Sequence, residues 1–429
     1  MRTSMLFFRL SWLAAFLSAG TTRADLVWQE QVISGPSPRC ENGFAFDTAR
    51  DVAVIFGGSA NLSFAAVNRE TWEYEGIDWT LANQLGPSAR CDNAMAYDSI
   101  RERVVSFGGF NGVYLGDTWE WNGTSWMSVP GAGPGLRADS FMPFDSARGV
   151  MVLFGGQASN GAIRDDTWEY NGIAWTQRAT GGPPARWIQR MAFDSQRNVT
   201  VMFGGRSPSG LLADTWEWDG SVWTQIGVQG PQARYGHAMA YDSDRGVVVL
   251  FGGQNGFAFG QGVLGDTWEY DGGSWTQVPI TGPPARTFVK MVYDPNRQRM
   301  VLFGGYNGTA TVSDTWELVN TSTGIADLGG GSGAGMTPGL RLDPNLPNPF
   351  GPETSIRYHL PAAGPVQLSI YDVTGSLVRR LAEREGEAGT HVAHWDGLDQ
   401  RGAGVGSGIY FCRLEAGGRT VARRMVLAR

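Results

Sequence analysis

Between Asp266 and Gly305 short aromatic or apolar runs alternate with turn residues, and their order recurs along most of the chain. Asp266–Tyr270 reads as a short aromatic strand, and Asp271-Gly272-Gly273 as a hairpin turn into a return strand at Ser274–Val278. Thr281-Gly282-Pro283-Pro284 is a loop, because paired prolines cannot sit inside a ladder. Phe288–Tyr293 is a third strand, turned by Asp294-Pro295-Asn296. Met300–Phe303 is continuously apolar, as expected of a strand covered on both faces. Gly304-Gly305 lets the backbone leave that strand where a side chain would clash.

Phe-Gly-Gly begins at Phe56, Phe107, Phe154, Phe203, Phe251 and Phe303, a period of about 49 residues, as expected of a four-stranded β-propeller blade. Thr-Trp-Glu begins at Thr71, Thr118, Thr167, Thr215, Thr267 and Thr315. The return-strand tryptophan follows at Trp79, Trp126, Trp175, Trp223 and Trp275 but is missing after Thr315. Its sixth copy stands at the front, as Trp28 in Leu26–Val32, before the loop Gly35–Arg39. The first strand is therefore expected to complete the last blade and close the ring, removing the open edges. The recurring tryptophans read as wedges between blades, each N–H finding a nearby carbonyl.

The Gly-Gly after an apolar strand, the following Asp-Thr-Trp-Glu-Tyr and the tryptophan after a short turn resemble the kelch family over about residues 26–319. The resemblance implies an all-β fold, a six-bladed kelch-type propeller at 25–319 closed by its N-terminal strand. It implies no activity, because propellers host many. After Val319 the text turns Gly- and Ser-rich, a flexible linker at 320–341. In 342–429, strands are expected at Thr354–Leu360, Val366–Asp372, Ser376–Leu381, His391–Trp395, Gly408–Leu414 and Thr420–Leu427, a small β-sandwich. Asn345–Phe350, Ile370–Gly375, Trp395-Asp396-Gly397 and Ser407–Phe411 make this module similar to the Ig-like domain of the flagellar hook-cap type (FlgD-like), and also to type IX secretion sorting domains. Both resemblances imply a role in export or surface attachment.

Composition fits this picture. Gly is abundant at 61 of 429 residues and only 17% are charged, as in a turn-rich all-β protein. Residues 1–24 read as a secretory signal: basic Arg2 and Arg9, a short apolar core at Leu10–Leu17, and small residues before cleavage near Ala24. That core is too short to span a membrane, so no transmembrane segment is expected. The net charge is −7, and −10 without the three arginines of residues 1–24, which argues against nucleic acid as a partner. Cys40 and Cys91 occupy equivalent points of neighbouring blades, beyond the roughly 7 Å reach of a disulfide, and are expected as free thiols; Cys412 is packing.

On the face carrying the long loops, six arginines recur: Arg39, Arg90, Arg137, Arg186, Arg234 and Arg286. Glu73, Glu120, Glu169, Glu217, Glu269 and Glu317 are expected on the same face. Equal numbers in every blade favour a structural role, each arginine bonding a carboxylate or loop carbonyls. Function should sit where blades differ: the residue after each arginine, and the loops after Gly-Gly. The ligand-binding candidates are Tyr114, Arg186, Trp187, Arg234, Tyr235, His237, Phe257, Phe259 and Tyr306. Aromatic residues beside arginine at a pore mouth suit a glycan or protein ligand.

Enzyme motifs are sparse. A copper site of the galactose-oxidase kind needs two histidines, and His237 is alone in the propeller. The Asp-box pattern of sialidases is absent, and no serine is placed beside His237 for a triad. No cofactor, metal or catalytic residue is expected. The chain reads as an exported, secreted or surface-exposed binding or adhesion protein with a C-terminal module for export machinery or attachment. The alternative is an exported carbohydrate-active enzyme similar, at fold level, to sialic-acid epimerases, centred on His237.

Overall fold

The computed structural model of the chain describes residues 26–62, 66–180, 182–321, 341–342, 345, 350–373, 375–417 and 419–428. The expected leader lies outside the described residues. So does the expected linker, apart from Asn320, Thr321 and Arg341.

The described chain is all-β and carries six four-stranded antiparallel sheets between Leu26 and Asn320. The unit between Asp266 and Gly305 forms strands at Thr267–Tyr270, Trp275–Val278, Lys290–Asp294 and Arg299–Phe303. The first two are outer strands of the fifth sheet and the last two are inner strands of the sixth. The sixth sheet is completed by Thr315–Asn320 and then by Leu26–Gln31, which pair antiparallel from Leu26↔Asn320 to Gln31↔Thr315. The strand expected to close the ring is therefore paired where the missing tryptophan left room for it. The innermost strand of the sixth sheet contacts its counterparts in the fifth and the first.

A separate apolar cluster fills each joint between neighbouring sheets. The second strands, such as Val52–Phe56 and Arg299–Phe303, are buried over nearly their whole length, which explains their largely apolar sequence. The return-strand tryptophans are wedges, but their partner is a hydroxyl and not a carbonyl. Trp28, Trp79, Trp126, Trp175, Trp223 and Trp275 donate Nε1–H to Thr267, Thr315, Thr71, Thr118, Thr167 and Thr215 at 2.8–3.1 Å. Each threonine belongs to the preceding sheet, so the repeated Thr of Thr-Trp-Glu is a docking point for its neighbour.

The six arginines are structural. Arg90, Arg137, Arg186, Arg234 and Arg286 fork onto Asp117, Asp166, Asp214, Asp266 and Asp314 with N–O distances of 2.6–3.0 Å. Arg39 takes Glu70 at 2.7 Å. Each Nη1 also donates to the first glycine carbonyl of its own sheet at 3.0–3.1 Å. The carboxylate further accepts the indole N–H of Thr-Trp-Glu at 2.7–2.9 Å.

The arginine's own carbonyl faces the preceding sheet, where a Cβ on that sheet's first glycine would lie 2.4–2.6 Å from it. Only glycine fits there, and its φ is 64–72°. The second glycine then donates its N–H to the same carbonyl, as Gly58 does to Arg90 at 2.8 Å and Gly305 to Arg39 at 3.0 Å.

The recurrent glutamates lie on the opposite face from the one expected. Glu73, Glu120, Glu169, Glu217, Glu269 and Glu317 pair with Arg50, Arg101, Arg148, Arg197, Arg245 and Arg297 of the tight turns. Thr-Trp-Glu spans the sheet, so its threonine end is near the loops and its glutamate end near the turns.

The C-terminal segment forms a three-stranded sheet (Arg341–Leu342, Thr354–Leu360, Gly389–Trp395) and a four-stranded one (Leu377–Gly386, Gly364–Asp372, Gly408–Ala416, Arg419–Leu427). Trp395 is fully buried between Phe350 and Tyr410, with ring centroids at 5.3 and 5.1 Å. Its indole N–H reaches the Leu398 carbonyl at 2.9 Å, across the Asp396-Gly397 turn. Among the described residues no helix is long and apolar enough to cross a membrane.

Replacing Arg234 by Met strands Asp266 and the Gly252 carbonyl, and is expected to cost about 3 kcal/mol. Arg234→Lys keeps the charge but loses the fork, and should fall between. Urea unfolding followed by tryptophan fluorescence measures both; an unchanged midpoint in Arg234→Met would contradict the structural role.

Candidate functional site

Two residues beyond each arginine the backbone turns left-handed. Glu41, Asp92, Asp139, Ile188 and Phe288 have φ of 52–60°, and Gly236 has φ 65°. These six residues form a belt where the sheets converge. The N–H of Glu41 donates to the Phe288 carbonyl at 3.1 Å, Asp92 to Glu41 at 2.9 Å, Asp139 to Asp92 at 3.1 Å, Ile188 to Asp139 at 3.0 Å and Gly236 to Ile188 at 3.3 Å. Half the belt is acidic and half apolar. One carboxylate oxygen from each of Glu41, Asp92 and Asp139 lies within 4.8 Å of the others.

Beneath the belt two cations approach from the first strands of the fourth and sixth sheets. Lys290 Nζ is 3.2 Å and Arg190 Nη2 3.5 Å from Glu41 Oε2. Both sit over the Phe141 ring, 5.3 and 5.2 Å from its centroid. Lys290 and Arg190 are 7% and 2% exposed. Burial opposes ionisation of Glu41, but the two cations outweigh it and hold its carboxyl below the usual range. Burial pushes Asp92 up to about 7, with the Glu41 charge adding to it. Asp139 is raised well above the ordinary carboxylate range by burial and by its neighbours Asp92 and Glu41. Like charges this close do not all ionise together in a dry site.

Above the acids lies a cavity of about 190 Å³. Asp92, Asp139 and Gln157 supply its polar lining, and Phe110, Tyr114, Trp187, Ile188, Phe259 and Phe288 most of its walls. Trp187, Tyr235, Phe259 and Phe288 belong to one aromatic cluster, with Tyr235–Phe288 at 6.0 Å and Phe259–Phe288 at 5.5 Å. The Arg206 guanidinium covers three of these rings, 5.1 Å from Tyr235, 5.3 Å from Trp187 and 5.8 Å from Phe259.

Of the expected ligand contacts, Tyr114, Trp187 and Phe259 are brought together at this cavity. Arg186 and Arg234 are not contacts: both are fully buried and committed to Asp214 and Asp266. Tyr235 is 0% exposed, its hydroxyl held by Gln254 and the Gly256 carbonyl, so it supports the wall from behind. Phe257 is 72% exposed and lines no part of the cavity. Tyr306 lines a separate depression of about 360 Å³ with Leu62 and Thr311.

His237 is 0% exposed, edge-on to Phe203 at 5.7 Å, and neither ring nitrogen has a hydrogen-bond partner. Burial, together with Arg190, Arg234 and Lys290, keeps it neutral, its pKa well below the ordinary value. A catalytic role needs access to the ring that this packing denies.

Cys40, Cys91 and Cys412 are free and buried, and burial raises all three thiols. The sequence reading missed Glu41, Asp92, Asp139, Arg190 and Lys290. A signal was present: in the otherwise uniform unit, the second residue after the arginine runs Glu, Asp, Asp, Ile, Gly, Phe.

Residues 351–419 match the family model of the FlgD Ig-like domain. No curated protein matches the chain.

The raised pKa of Asp92 fixes a sign. Its folded value lies above the unfolded one near 4, so its contribution favours folding at low pH and is lost as pH rises through about 7. Asp92→Asn should therefore stabilise the protein at pH 8, by on the order of 2–4 kcal/mol, and have little effect at pH 4. Thermal unfolding of both proteins across pH 4–8 checks this, and a gain larger at pH 4 than at pH 8 would refute it.

Proposed function

We propose that the six sheets are the blades of a kelch-type β-propeller and that its loop face binds a glycan or protein ligand. The single observation that carries this reading is the aromatic-walled, acid-floored cavity at the belt. It is built from the positions at which otherwise uniform units diverge. Six four-stranded sheets with apolar joints and cyclic Trp–Thr bonds support the propeller. Rigid scaffolds with variable loops are where binding sites accumulate.

The residues that repeat are saturated by one another and leave the ligand little to bind. Tyr114, Trp187 and Phe259 offer ring faces, and Asp92 and Asp139 offer acceptors. The protein is exported after cleavage near Ala24 and acts in the medium or on the outer cell surface. Its Ig-like module serves export, by the type IX route or another, or attachment; the FlgD Ig-like match and the leader-like residues 1–24 support this.

An array of glycans and peptides probed with the full chain should yield a ligand whose affinity falls at least tenfold in Trp187→Ala. Binding indifferent to Trp187 and Phe259 would place the site elsewhere. Removing 342–429 should leave the ring folded and abolish delivery to the surface. Undiminished surface display of the truncated protein would end the attachment reading.

A further inference from the structure

The acidic half of the belt is not balanced by the protein. Glu41, Asp92 and Asp139 bring three carboxylates against two cations, Arg190 and Lys290, and both cations are engaged by one oxygen, Glu41 Oε2. Glu41 Oε1 and Asp92 Oδ1 have no hydrogen-bond partner, although their residues are only 2% and 6% exposed. Asp92 lines the cavity, and its other carboxylate oxygen accepts the Cys91 thiol at 3.0 Å. A buried carboxylate oxygen with no partner is costly unless something neutralises it.

Four occupants can be weighed. An anion is repelled by three carboxylates. A neutral sugar brings no counter-charge that would let Asp92 and Asp139 ionise together. A calcium-like ion needs six to eight oxygen ligands, and here Glu41 is already held by two cations while much of the wall is aromatic. A monovalent organic cation suits both the acids and the ring faces: with Asp92 and Asp139 ionised, the three carboxylates exceed Arg190 and Lys290 by one charge, and aromatic faces attract cations. Size narrows the choice further. At about 190 Å³ the cavity is smaller than the roughly 300–1,000 Å³ of small-molecule pockets, so it suits one side chain better than a saccharide. An aliphatic stem packs on Tyr114, Trp187 and Phe259 while its head reaches the acids.

We propose that the cavity receives a lysine side chain of a partner protein, its ammonium bound by Asp92 and Asp139 and its stem held between the aromatic walls. This rests on the ligand-binding reading above and names the chemistry recognised. The partner is not a second copy of the chain: Lys290 is its only lysine and is buried under the same carboxylates. Arg206 already occupies the outer ring faces as a guanidinium, which shows what kind of group those faces accept.

Protons compete with the ammonium for the same carboxylates. The groups facing them are Glu41, Arg190, Lys290, the Cys91 and Cys40 thiols and the Tyr114 hydroxyl. Since burial places Asp92 near 7, lysine binding strengthens as pH rises from 6 to 8, a range in which lysine itself stays charged.

The test uses the full chain, a capped glycine peptide with one central lysine, and the same peptide acetylated at Nε, by calorimetry or NMR titration. At pH 8 the free-lysine peptide should bind at least tenfold more tightly than the acetylated one. The preference should vanish in the Asp92→Asn/Asp139→Asn double variant, and affinity should fall severalfold at pH 6. Asparagine tolerates the left-handed backbone, and circular dichroism confirms that the variant folds. Equal binding of the two peptides, or a preference that survives the double variant, overturns the proposal. So does tighter binding of a free-amine hexosamine oligomer than of the lysine peptide, which would assign the site to glycans. If neutral glycans bind through Trp187 with no lysine preference, only this inference fails. If neither they nor any peptide binds, the ligand-binding reading fails with it.

Discussion

A buried arginine at the entrance to each sheet is the contact on which the rest of the ring depends. Isolated, a guanidinium with 0–2% exposure would cost far more than it contributes. Here it is paid for by a carboxylate, bidentate in five of the six copies, a glycine carbonyl and, in every copy, a further loop carbonyl. The forked geometry fixes direction as well as distance, which a lysine would not. The arginine's backbone carbonyl then dictates glycine in the preceding sheet. One residue thus sets the loop path, the Gly-Gly and the spacing to the next unit, and the sequence period follows from it.

That arrangement also decides where chemistry can occur. Ring Arg, its Asp or Glu, the indole N–H and the Gly-Gly satisfy one another, so these positions cannot vary without loss. The left-handed residue two places on is different. Its backbone is tied into the belt while its side chain is free of the Arg–Asp and Trp–Thr contacts that repeat at every joint. Three such positions hold acids and three do not, and the asymmetry of the central site arises there.

Much of the fold was legible because it rests on local signals that repeat. Phe-Gly-Gly, the two tryptophans and the out-of-phase Trp28 locate the strands and the closing pair, and Thr354–Leu360 forms over the residues expected. The site was legible only in part. Trp187, Tyr114 and Phe259 stood out as departures from the repeat. Arg234 and Tyr235 look alike in sequence as exposed loop residues, yet both are sealed, because burial of a loop depends on what its neighbours place over it. The glutamates share a three-residue motif with the loop-side threonines yet lie on the turn face, because the strand carries them away from the loops. Nothing in Glu41 or Asp92 announces a positive φ, which tertiary bonds around the belt impose.

The pairing of Leu26–Gln31 with Thr315–Asn320 has a consequence for assembly in time. The strand that leaves the ribosome first finds its partner last. Until it does, both ends of the growing array carry open ladders, and the last two joints, where Trp28 meets Thr267 and Trp79 meets Thr315, stay incomplete. Contacts of such long sequence separation form slowly. A chain held unfolded until Asn320 is available can close in a single cooperative step. One that folds as it emerges must keep its first strand free until Asn320 has been made, and any factor that delays folding therefore favours pairing of the first and last strands over end-to-end association.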